Sequence, residues 1–418
     1  MDRRVFIKNT LSASVFSSLV LSGALDGCFR RPSTSSVQKV LVLIQLEGGN
    51  DGLNTVIPID QYKNLVEARK NILIPEKKIL RLNDTETTGF HPSMAAIQKL
   101  YNDKYVTIIQ SVGYDNPDLS HFRAVDNWYS ASPSETISTG WLGRFLDIDQ
   151  NSKRGSDNTD PPAVELGGSL KNIFQGWHSN MGMAVRNIDC SYDFPLYDYV
   201  NQPGSRQRDQ LSFLHELELE SQKYLRRVQE AGQAQQTLSK RYPPQNQNKL
   251  ADQLKAVARL IGGGLQTKVY FVNLTGFDTH SRQVDGADST KGDHADLLSQ
   301  LSEAIGAFQD DLFLMGKEDN VLSMTFSEFG RRIKSNASFG TDHGTSAPML
   351  LFGSKLKTRI IGKNPEIPAQ VTANDNIPFQ TDFRSVYGSI LKQWFDMPDD
   401  KLSSTLFGHF PQLDIFKS

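Results

Sequence analysis

Residues Val40 to Leu46 are nearly continuous in β-branched residues and leucine. A run of this kind predicts a parallel strand covered on both faces rather than an amphipathic one. It ends in Glu47, Gly48, Gly49, Asn50 and Asp51, a sharp polar exit at its carboxyl end. A helix is predicted from about Pro92, since proline is tolerated in a first turn, and a strand near Tyr105 to Val112. Strand, helix and strand in that order favour an α/β layered fold. Ser120 then precedes a predicted helix with Phe122, Val125 and Trp128 at its apolar positions. Between about 150 and 205 the chain is polar, rich in Gly, Pro, Asp and Asn, and without period, which predicts an irregular excursion. Helical spacing returns in Leu211, Leu214, Leu217, Leu225 and Val228, and again in Leu250, Leu254, Val257 and Ile261 before three glycines. The sheet pattern resumes with KVYFVNL (268–274), followed by a helix from about Gly292 to Met315 and a strand VLSMTF that exits into SEFGRR. PMLLFG supplies one more short strand, and FRSVYGSILKQWF a final amphipathic helix.

The first residues stand apart from this pattern. Arg3 and Arg4, then Phe6, Ile7 and Lys8, precede a weakly apolar stretch from about Leu11 to Leu25, the form of a twin-arginine export signal. That stretch is too short and mild for a comfortable bilayer span, and no later segment approaches one. Residues 1–28 are therefore expected to be the signal, with Cys28 a possible lipidation point, 29–38 a linker, and 39–418 a single domain carrying a partly irregular, partly helical insertion at about 150–262. The expected destination is the periplasm or outer cell envelope. Of the 2 cysteines only Cys190 follows the signal, so no intramolecular disulfide framework is available. A net charge of -2 with dispersed basic residues excludes the electrostatic footprint of nucleic-acid binding.

Candidate chemistry collects where strands end. Asp51 follows the first strand, Asp278 and His280 follow KVYFVNL, and Asp342 and His343 precede PMLLFG. Ligands of open parallel sheets gather at the carboxyl ends of strands, and a divalent ion needs oxygen and imidazole donors from several segments. Glycines at 48, 49, 276, 340 and 344 would let backbone approach one point closely. By position alone Ser120 reads first as an ordinary N-cap and second as a functional hydroxyl. Glu328 and Arg331 of SEFGRR could bind each other, or Arg331 could clamp an anion, while His91 and His215 fit structural places better.

LIQLEGGNDGLNTVIP, SHFRAVDNW, STGWLGR, GFDTHSRQ, TFSEFGRR and GTDHGTSAPMLLFG, taken in order, resemble the signatures of the bacterial exported proteins grouped as "domain of unknown function 1501". The resemblance runs from about 39 to 415. That family is similar to the alkaline phosphatase and sulfatase superfamily, which implies a three-layer α/β sandwich with a mostly parallel central sheet. It also implies an exported metal-dependent hydrolase or transferase acting on an anionic phosphate or sulfate ester. By this resemblance Asp51, Asp342 and His343 would form one metal position, and Asp278, with His280, a second. Ser120 takes the nucleophile's place, and His121 and Arg331 join it as catalytic candidates. Asp278 and His280 stand closer in sequence than the superfamily's pair, so one or two divalent ions (Zn, Ca, Mg or Mn) remain open. The alternative expectation is a metal-stabilised binding or assembly protein of the envelope, without turnover and acting with another exported protein.

Overall fold

The computed structural model describes residues 38–132, 137–152, 160–189, 205–357 and 359–417. The twin-arginine segment, Cys28, Cys190 and the His215 side chain lie outside what it describes. Strand β1 (Val40–Glu47) leads into a small antiparallel sheet of β2 (Val56–Pro58), β3 (Leu80–Leu82) and β4 (Thr85–Phe90). Then come β5 (Val106–Gly113), β6 (Ala163–Leu166), β7 (Gly182–Val185), β8 (Val269–Thr275) and β9 (Val321–Phe326). A hairpin of β10 (Arg331–Ser335) and β11 (Thr341–His343) precedes β12 (Ala347–Phe352) and the two-residue strands β13 (Ile360–Ile361) and β14 (Thr381–Asp382).

The main sheet has the order β13-β5-β12-β9-β1-β8-β6-β7, with β14 also on β5. Its pairs are parallel except those made by β12, which is antiparallel to both neighbours. The uninterrupted apolar run of β1 is explained by its central place. Val42, Ile44 and Leu46 enter the core beneath helices Lys249–Gly262 and Asp293–Leu314, while Leu41 and Leu43 enter the opposite core with Trp128, Trp141 and Tyr387. Alternation along a strand sends successive side chains to opposite faces, so two helical layers enclose one sheet. Each fully buried Leu or Ile contributes about 1.5–3 kcal/mol. The α/β three-layer expectation holds.

Two local expectations do not. The stretch expected to be irregular contains β6 and β7, which extend the sheet beyond β8. Each has four residues, AVEL and GMAV, too few to show a period against Gly- and Asp-rich surroundings. Their conformation comes from pairing, β6 with β8 and β7 with β6, not from their own pattern. Phe122, expected on the apolar face of helix His121–Ser130, is 85% exposed, whereas Trp128 is buried. No helix among the described residues is long and apolar enough to cross a membrane.

Glu165 of β6 is buried, and its Oε2 accepts the Lys171 backbone N–H at 2.8 Å. Burial pushes its carboxyl up to about 7 from 4.5. Between those values the unfolded chain loses the proton and the folded chain keeps it, so stability falls as pH rises through that window. The loss is complete above about pH 7 and on the order of 3 kcal/mol. Glu165→Gln is expected to flatten the dependence and to exceed the parent in stability at pH 8, as measured by urea unfolding at pH 5 and pH 8. Equal pH dependence in both proteins would show that Glu165 is not the titrating group.

Candidate metal centre

β1, β8 and β9 end side by side, and the loops that leave them meet. Because β12 runs the other way, its first residue, Ala347, pairs with Val112 near the end of β5. The hairpin just before β12 therefore stands at this same edge and brings Asp342 and His343 to it. These two residues lie on a strand, β11. The turn after β1 is tight. Gly48 has φ +123°, and a Cβ on it would lie 2.3 Å from the Asp278 backbone nitrogen. Only glycine gives the approach that sets Asp278 against the β1 exit.

His121, Asp278 and His343 place one ligand atom each within 4.8 Å of one another, the one such group of three among the described residues. His343 Nε2 is 3.1 Å from Asp278 Oδ1, and His121 Nε2 is 3.6 Å from Asp278 Oδ2. His280 abuts the triad, its Nε2 3.2 Å from Asp278 Oδ1 and 2.9 Å from His343 Nε2. The opposite nitrogen of every ring is held by an acceptor. His343 Nδ1 donates to the Leu119 carbonyl at 2.9 Å, His121 Nδ1 meets Glu328 Oε1 at 2.8 Å, and His280 Nδ1 meets Asp342 Oδ1 at 3.1 Å. A carbonyl or carboxylate can only accept, so Nδ1 carries a proton, and a ring in its neutral form then turns a lone pair inward through Nε2. Two such lone pairs 2.9 Å apart repel unless a positive charge lies with them. Imidazole and carboxylate donors with their outer nitrogens anchored could hold a divalent ion.

The surroundings keep the donors ready. Burial alone would raise the Asp278 carboxyl, but the Arg331 guanidinium hydrogen-bonded to it holds it down at about 2. The Glu328 hydrogen bond raises His121, and burial lowers His343. Phe329 packs on both rings, with centroids 4.9 Å from His121 and 4.4 Å from His343.

The other expected site residues fall in different places. Asp51 lies outside the triad. It is buried and paired with Arg69, Nη1 to Oδ2 2.9 Å, because the chain after β1 turns into a four-residue helix (Gly52–Thr55) that packs inward. Arg331 is buried, its guanidinium donating to the carbonyls of Gly49, Thr341, Gly48 and Phe277 and to Asp278 Oδ1. An anion could reach it only by displacing those acceptors. Glu328 pairs with His121 and accepts the Gly48 N–H at 2.8 Å, where pairing with Arg331 was expected. Ser120 is the exposed N-cap of helix His121–Ser130, and its side chain makes no capping bond. His91 and His294 are buried away from the triad, His294 Nε2 at 3.0 Å from Asn50 Oδ1. Sequence reasoning took His121 as catalytic, not as a ligand, and passed over Arg69. The signal available for His121 was its position at the first turn of a helix entering this edge.

No curated protein matches the chain. Solved structures similar to it include a protein in the alkaline phosphatase superfamily from Vibrio parahaemolyticus, at 11% identity and TM-score 0.35, over 85% of this chain and 66% of that one. A sulfatase from Pseudoalteromonas sp. aligns at 12% identity and TM-score 0.38, over 90% of this chain and 71% of that one. The C-terminal periplasmic domain of EcEptC from Escherichia coli, in complex with Zn, aligns at 10% and 0.37, over 77% and 74%. Likeness at these scores bears on neither the site nor the activity. The sequence match is more direct: over residues 38–380 the chain belongs to the family described as protein of unknown function (DUF1501).

Proposed function

We propose that this protein is an exported metal-dependent hydrolase or transferase of phosphate or sulfate esters, its ion held by His121, Asp278 and His343 with His280 beside them. The supporting observation is the convergence of three Nε2 atoms on Asp278 while each Nδ1 is anchored outward. A divalent ion held there would supply Lewis-acid polarisation of an ester oxygen. The remaining work falls to the chain. A cleft of about 590 Å³ opens beside the centre, lined among others by His121, Phe122, Tyr129, Lys171, Asp278 and Glu328, and gives room for the body of an ester. Lys171 offers it a positive charge and Phe122 an apolar wall. Glu328 holds His121 by Nδ1 and fixes which nitrogen faces the cleft.

Ser120 is the proposed nucleophile. Leu119 before it accepts from His343, and His121 after it belongs to the triad, so its backbone is pinned on both sides of the centre. It also begins a ten-residue helix whose free N–H groups favour an anion. Ser120→Ala is expected to lower turnover of 4-nitrophenyl phosphate or sulfate by at least ~100-fold, within the range that positioned groups supply, while ion content is unchanged. Full activity in that variant removes Ser120 from the mechanism. A folded, ion-loaded parent inert on phosphomonoester, phosphodiester and sulfate substrates overturns the hydrolase reading and is the result a binding or assembly protein would give.

A further inference from the structure

The two-ion arrangement implied by the superfamily needs Asp51 as an open ligand, and its surroundings do not leave it open. Asp51 is 1% exposed and Arg69 is 0% exposed. Arg69 Nη1 lies 3.1 Å and 2.9 Å from the two carboxylate oxygens and 3.1 Å from Asn54 Oδ1. Its Nε donates to the Ile333 carbonyl and its Nη2 to that of Arg332, both at 3.0 Å, so the guanidinium is fixed from three sides. Gln283 Nε2 donates to Asp51 Oδ2 at 2.5 Å. Asn50, the neighbouring oxygen donor, is also engaged, accepting from Thr55 Oγ1 at 2.9 Å and facing His294 Nε2. A cation brought to this carboxylate would meet a buried arginine already balancing its charge.

We infer that the chain binds one divalent ion, not two, and that Arg69 supplies at Asp51 the positive charge a second ion would carry. The inference rests on the metal centre proposed above and limits its stoichiometry. The fixed pair also has a use. Gln283, held by Asp51, accepts through Oε1 from Thr341 Oγ1 at 2.7 Å and from Thr279 Oγ1 at 3.2 Å. Thr279 precedes His280, and Thr341 precedes Asp342. The buried charge pair is thus tied through one amide to both loops that flank the triad, and Gln283 is a positioning residue for them.

The test is calorimetric titration of metal-free protein with Zn²⁺ and with Mn²⁺, with elemental analysis of the loaded protein. One ion per chain is expected. Two ions per chain, one of them lost in Asp51→Asn, overturns the inference and leaves the centre standing. No ion in a folded chain overturns the centre itself. The count in the unaltered protein needs no variant, so it holds even if Asp51→Asn fails to fold. Gln283→Met, which leaves the ion pair intact, is expected to weaken ion affinity about tenfold with the count still one. Unchanged affinity in that variant refutes the positioning role.

Discussion

Asp278→Asn is expected to lower divalent-ion affinity by more than ~100-fold, beyond the 10–100-fold typical of groups that only orient ligands. Asp278 Oδ1 alone is within 3.2 Å of His280 Nε2, His343 Nε2 and Arg331 Nη2. The substitution removes the negative charge and presents an N–H to donors that face an ion, while one oxygen remains for Arg331. With its side chain 48% exposed, Asp278 has little part in the core, and the melting temperature of the metal-free variant should stay close to that of the parent. Calorimetric titration beside a thermal melt separates the two effects. A loss of affinity below tenfold, with the fold intact, would place the ion elsewhere.

Arg331→Met should have the largest effect on stability, about 3–5 kcal/mol by urea unfolding. One guanidinium joins the β1 exit at Gly48 and Gly49, the β8 exit at Phe277 and Asp278, and the hairpin at Thr341. Methionine matches the stem but leaves several buried carbonyls without a donor, each costing about 1–3 kcal/mol, and these losses do not simply add. Lysine cannot rescue it, because a single ammonium does not span acceptors on three segments. Ion affinity should fall with stability, since Asp278 loses the partner that holds it. A loss under 1 kcal/mol would mean that the loops are held together by other bonds.

The two effects differ because of where each residue's partners lie. Asp278 faces the cleft and its partners are ligands, so its charge governs binding. Arg331 faces inward and its partners are backbone, so it governs the shape of the site. Its role in any reaction is therefore positional, exerted through Asp278.

The sequence by itself determined the sheet's centre and both its faces. β1, β5, β8 and β9 bury every or nearly every side chain, and such runs announce themselves without knowledge of their neighbours. It also determined that Asp278 and His280 follow the end of β8, because strand exits are local, whereas Asp342 and His343 reach the same edge only because β12 runs antiparallel to its neighbours. Partners distant in sequence were left to the tertiary structure. Pairing made strands of AVEL, on β8, and GMAV, on AVEL, both too short to show a period. Arg69, 18 residues from Asp51, took that carboxylate out of the ligand set, and Glu328, 207 residues from His121, fixed that ring's tautomer and turned Nε2 toward Asp278. A side chain's chemistry is written at its own position, but its charge balance and the direction of its lone pairs depend on what packs against it, and only the folded chain supplies that.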